Sequence, residues 1–339
     1  MKIISKKNTK QNKENFYLGI QILRIIFSFH ILVFHCIDHK KYTSKIISSV
    51  VIDLNTFFII AFFFSYNTLT SKNILKIKQR FKRLLIPYIL WPIIFLIIRI
   101  IISKINILEQ LKYLFYQLLI GNGTHIVLWF QFNLIFVSLF SLIIIFLSRA
   151  HYLLYIFIFG VLCLFFIHSS IYKNLNSKFN KIVLFSTLPL PSSYIYLVIG
   201  FYIFFLKIIE KINKYKFFSM IFFLMNVCFY IFCEEIYSNS RLIRFFISYF
   251  SSICLFLFFI IFPFDKIINY KFINAIKRIS YYAGGIYYLH TKILIVLYSL
   301  KIIEKGSISI CLLNYITCYY ICLFGYYIFK NTELRYLFI

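Results

Sequence analysis

Apolar runs about as long as a bilayer is thick recur from one end of the chain to the other. A helix of ~20 mostly apolar residues spans the ~30 Å hydrocarbon layer. In lipid such a helix must satisfy its own backbone hydrogen bonds, which leaves helices and closed barrels as the spanning structures. Ten runs have helical length: about 16–36, 47–66, 84–103, 127–147, 152–169, 187–206, 217–233, 245–263, 279–300 and 307–329. Hydrophobic residues make up 62% of the 339, where a water-soluble domain has ~45–50%. No polar stretch is long enough to build a separate core. These features predict an all-α, polytopic transmembrane bundle of about ten spans. It forms one domain over 1–339, with 1–15 as a basic cytoplasmic segment.

Two segments depart from the simple pattern. "INILEQLKYLFYQLLI" at 105–120 is apolar but carries Glu109 and Lys112, which predicts a helix lying at the interface. The run at 187–206 opens on "LPLP", and a break is predicted near Pro189 and Pro191. The first run is too long for a signal peptide and is followed by no A-x-A cleavage site, so it reads as a membrane helix.

Lysine and arginine in the connecting segments set the orientation. With the N-terminus inside, 22 lie on the inner side and 12 on the outer side. Both termini and the 67–83 loop are therefore expected in the cytoplasm. The same distribution accounts for the net charge of +27. It reads as positive-inside charge facing anionic lipid, with no nucleic-acid partner. The eight cysteines include no CxxC pair and sit mostly inside apolar runs. They read as small core residues, and no metal-ligand spacing is visible.

The first run, "LRIIFSFHILVFHC" at 23–36, holds an arginine and two histidines. An ionisable residue within a span normally faces a partner or a cavity. Arg24 and His35 are eleven residues apart. They therefore share one helix face, offset by about 20° and separated by ~16 Å along the axis. His30 faces elsewhere, about 120° from Arg24. With the N-terminus inside, Arg24 lies in the inner half and His35 near the outer end.

Five segments, in order, resemble the acyltransferase 3 family of integral membrane acyltransferases that acylate sugars and glycans. "LRIIFSFHILVFH" (23–35) resembles its opening Arg-x10-His helix. "KQRFKRLLIPYILW" (78–91) resembles its basic stretch followed by R-x-L-x-P-Y and a Trp. "THIVLWFQFNLIF" (124–136), "YIYLVIGFYI" (194–203) and "ISYYAGGIYYLHTKIL" (279–294) resemble three later segments. The resemblance covers 17–330. One departure is plain: the family's Phe-Phe-x-x-Ser-Gly is here Phe57-Phe58-Ile59-Ile60-Ala61-Phe62. Close helix packing at Ala61 and Phe62 is placed in doubt.

The resemblance implies transfer of an acyl group, most often acetyl, from cytosolic acyl-CoA to a sugar hydroxyl of a cell-surface or lipid-linked glycan. Acyl-CoA is then a donor substrate, and no bound cofactor is expected. The lipid bilayer and the glycan acceptor are the other partners, and the location is the cytoplasmic (inner) membrane. An imidazole is a natural base for the hydroxyl proton, and the resemblance assigns that role to His35. Arg24, on the same face, suits the donor path. Arg80 and Arg83, with Lys82 between them and Lys76 and Lys78 nearby, suit coenzyme A phosphates or simply mark the inner side. His290 is a second proton carrier or a helix-packing residue. Asp53 orients an imidazole or pairs with Arg99. Trp129 and His125 open the fourth span from outside, as sugar contacts or as interfacial belt residues. His39, His151 and His168 fall at loops or span ends. A transporter or flippase using the same cationic stripe for an anionic substrate is the competing class, separable by coenzyme A dependence. A catalytically inactive assembly subunit is a third.

Overall fold

The computed structural model of the chain describes residues 2–36, 55–71, 73–103, 107–120, 128–168, 189–212, 215–236, 241–299 and 308–339. Among them the secondary structure is helical, without a strand. The helices are α1 (Lys2–Cys36), α2 (Asn55–Thr70), α3 (Ile74–Ser103), α4 (Ile107–Ile120), α5 (Leu128–Ser148), α6 (Tyr152–His168) and α7 (Pro189–Phe205). They continue as α8 (Ile208–Ile212), α9 (Phe217–Ile236), α10 (Arg241–Ile261), α11 (Phe264–Ile267), α12 (Tyr270–Tyr281), α13 (Ala283–Ser299) and α14 (Ile308–Phe329). Three stretches of the described residues, Ile74–Ile98, Leu128–Ser148 and Ser309–Phe329, are long and apolar enough to cross a membrane. Five shorter apolar helices accompany them in α1, α6, α7, α9 and α10.

Several predicted boundaries move. The basic 67–83 segment is not a loop, because α3 starts at Ile74 and carries the cluster on its first turns. Asn73 caps it: its Oδ1 accepts from the Lys76 amide at 3.2 Å, satisfying one of the orphan donors at a helix start. The 264–278 segment is likewise helical. Asn269 Oδ1 accepts from the Lys271 amide, and α12 then runs to Tyr281 as an amphipathic helix. The predicted span 279–300 is consequently divided at Tyr282, where the backbone turns before Ala283-Gly284-Gly285. The "LPLP" prolines open α7 at Pro189, as suits residues that lack a donor the first helical turn does not need. Segment 107–120 is helical as expected. The beginning of the second predicted span, 47–54, lies outside the described residues.

The chain divides into two compact units, Met1–Phe57 with Leu206–Ile339, and Phe58–Phe205. In the second, α5 packs against α3, α6 and α7, and α6 against α7. Gly200 of α7 lies so close to α2 that a Cβ there would stand 2.9 Å from the Phe63 amide and 3.0 Å from the Ile59 carbonyl. The close approach put in doubt by Ala61 and Phe62 is thus present at α2, with the glycine supplied by the facing helix.

In the first unit α1 is central and packs on α10, α11, α12, α13 and α14. Gly19 lets α1 lie directly on the Phe259 carbonyl of α10. Helices α9 and α10 are joined by Asn226, whose Nδ2 donates to the carbonyl and hydroxyl oxygens of Ser251 at 2.9 and 2.7 Å. At the start of α13, Gly284 and Gly285 leave room for the backbone of Phe338 and Ile339. This contact holds the first turns of α13, the helix that carries His290.

Candidate active site

Arg24, Ser28 and His35 lie along one side of α1, within about 40° of one another by helical rotation. Arg24 and His35 are both partly buried. Ser28 is buried, and its hydroxyl donates to the Ile25 carbonyl at 2.9 Å. Its oxygen, with both lone pairs still available, lies 3.2 Å from the Tyr315 hydroxyl of α14. Because the Ser28 proton is committed to Ile25, Tyr315 is the donor in that contact.

At the C-terminal end of the stripe the structure brings two predicted residues together. The His35 and His290 rings are 5.2 Å apart and inclined by 37°. His290, on α13, is only 1% exposed. Its Nδ1 lies 2.7 Å from the Tyr287 carbonyl. A carbonyl only accepts, so Nδ1 carries the proton, and Nε2 of the neutral ring is the bare nitrogen. That Nε2 is buried and has no hydrogen-bond partner among the described residues. The bare nitrogen belongs to a ring whose centroid is 5.2 Å from that of His35.

Neighbouring groups hold this arrangement. Asn314 Nδ2 donates to the His290 carbonyl at 2.9 Å, and the Cys318 thiol donates to Asn314 Oδ1 at 3.2 Å. The Tyr298 hydroxyl donates to the Cys36 carbonyl at 3.2 Å, tying the end of α1 to α13. Sequence reasoning missed Asn314, although a buried amide within an apolar run was a legible signal. It could not have found Tyr287, whose contribution is a backbone carbonyl.

The remaining predicted residues are placed as follows. Arg80, Lys82 and Arg83 sit on α3 in the second unit, with Arg83 exposed and the other two partly buried. Arg80 turns inward, its Nη2 3.4 Å from the buried Ser138 hydroxyl. Its Nε is buried without a hydrogen-bond partner among the described residues. Trp129 is partly buried at the start of α5, with its ring 6.2 Å from Phe58 and 6.1 Å from Phe130. Asp53 and His125 lie outside the described residues, as does the Arg99 side chain. Among the described residues no group of three or more His, Cys, Asp or Glu side chains could hold a metal ion.

Helices long and apolar enough to cross a bilayer define a membrane protein. The family described as an acyltransferase domain matches residues 17–330, and the chain belongs to this acyltransferase 3 family. It is accordingly a membrane acyltransferase that transfers groups other than amino-acyl groups. No curated protein and no solved structure matches the chain.

Proposed function

We propose that the protein moves an acetyl group from cytosolic acetyl-CoA to a sugar hydroxyl of a cell-surface or lipid-linked glycan, in the cytoplasmic membrane. The observation that carries this reading is the apposition of His35 and His290 on the face that also holds Arg24. His35 takes the proton of the sugar hydroxyl as its oxygen attacks the thioester carbonyl. A C–O bond forms, the tetrahedral intermediate collapses, and the C–S bond breaks. The leaving thiolate takes up the proton from the imidazolium, and free coenzyme A and the acylated sugar result. His290 Nε2 holds the proton in transit, since only a ring with a bare nitrogen can receive it from His35.

Arg24 holds the pantetheine arm or neutralises an inner-side phosphate. Arg80, with its unpartnered Nε, and Arg83 and Lys82 contact donor phosphates. Asp53 orients an imidazole, and His125 and Trp129 receive the sugar on the outer side. The apolar surroundings of the stripe exclude water and protect the thioester.

The test uses the purified full chain in vesicles with acetyl-labelled acetyl-CoA and a lipid-linked glycan. The expected result is label in the glycan with stoichiometric release of free coenzyme A. Movement of the glycan across the vesicle membrane without coenzyme A consumption would instead make the protein a transporter.

A further inference from the structure

A cavity of about 650 Å³ opens between α12 and α14 in the first unit. It is separate from the His35–His290 contact, and its lining is chemically uneven. One wall is a stripe of α12: Lys271, Asn274 and Arg278. Spaced at i, i+3 and i+7, they project from nearly one face, with the two cations ~10 Å apart along the axis. The other wall is aromatic: Tyr315, Tyr319 and Tyr320 of α14. No carboxylate lines the cavity, so its two cations have no counter-charge from the lining.

Charge that merely marks the inner side of a membrane protein needs no cavity. Here the cations and an amide stand on the wall of a space within the ~300–1,000 Å³ of small-molecule sites. It is far larger than an inorganic anion needs. Guanidinium and ammonium groups recognise phosphoryl oxygens, the former through a planar fork. Tyrosines offer ring faces and hydroxyls to the organic remainder of a ligand. One wall residue, Tyr315, also contacts Ser28 of α1, four residues beyond Arg24.

We propose that this cavity is a binding site for an organic phosphate, with phosphoryl oxygens between Lys271 and Arg278 and the attached organic group against Tyr315, Tyr319 and Tyr320. The contact with Ser28 makes a coenzyme A phosphate the favoured source, and in that respect the inference rests on the acyl-CoA reading above. An anionic phospholipid headgroup carries the same phosphoryl chemistry.

The test measures binding of free coenzyme A and of a short-chain phosphatidylglycerol to the full chain in detergent. The wild type is compared with a Lys271→Gln/Arg278→Gln variant and with Arg278→Lys. Both side chains are exposed, so the unfolding temperature should be unchanged. The charge-removed variant should lose roughly tenfold or more in affinity for one probe. Arg278→Lys should fall between, because lysine keeps the charge and loses the fork. Loss confined to coenzyme A identifies a donor site. Loss confined to phosphatidylglycerol identifies a lipid site. If the wild type binds only the lipid, the acyl-CoA reading fails while the cavity keeps its assignment. A folded charge-removed variant that binds both probes like wild type overturns the proposal.

Discussion

Replacing His35 by alanine should lower acyl transfer by ~10²–10⁴-fold, the usual contribution of a positioned general base. Expression and donor binding should stay near wild type, because the base acts mainly in the transition state. Steady-state rates and donor affinity, measured on one preparation, check this. His30→Ala is the control. His30 is five residues earlier in α1 and points about 140° away from His35. It should lose little. An equal loss from His30→Ala, with both variants folded, would remove the shared face as the reaction path.

Gly19→Ala should be the most damaging single-methyl change for stability. A Cβ at Gly19 would land on the Phe259 carbonyl, which is α10 backbone and has no rotamer to give. Helix α1 would have to move off α10, at a cost of ~1–3 kcal/mol or more. Because α1 carries Arg24 and His35, activity should fall with stability. Gly160→Ala is the comparison: its nearest neighbour is Val198 Cγ2 at 2.6 Å, a methyl group on a side chain. A milder effect is expected there. Resistance to denaturation in detergent, followed by loss of helical signal, ranks the two.

The helical class and the Arg24–His35 face were legible in the sequence, since both follow from period and residue type alone. Apolar length predicts a helix, and a 3.6-residue repeat places positions eleven apart on one side. Boundaries set by capping were less visible. Asn73 and Asn269 extend helices into basic, polar segments that an apolar window reads as loops. The His35–His290 contact joins residues far apart in the chain, and no local pattern specifies which two histidines meet. The close approach at α2 shows the same limit. Losing Ser-Gly at Ala61-Phe62 looked like losing tight packing, but a glycine on the facing helix serves the same contact from the other side.

A double-substitution cycle on His35 and His290 tests the central claim most directly. His290→Gln removes the bare Nε2 and leaves a polar side chain of similar reach. The rate of acyl transfer is measured for His35→Ala, His290→Gln and the pair, alongside unfolding temperature and the pH profile. If the two rings carry one proton path, each single change is severe and the pair is little worse than His35→Ala alone. His290→Gln should also alter the pH profile of transfer without lowering the unfolding temperature to match. Losses that multiply independently, or a His290→Gln variant with wild-type turnover and pH profile, would contradict it.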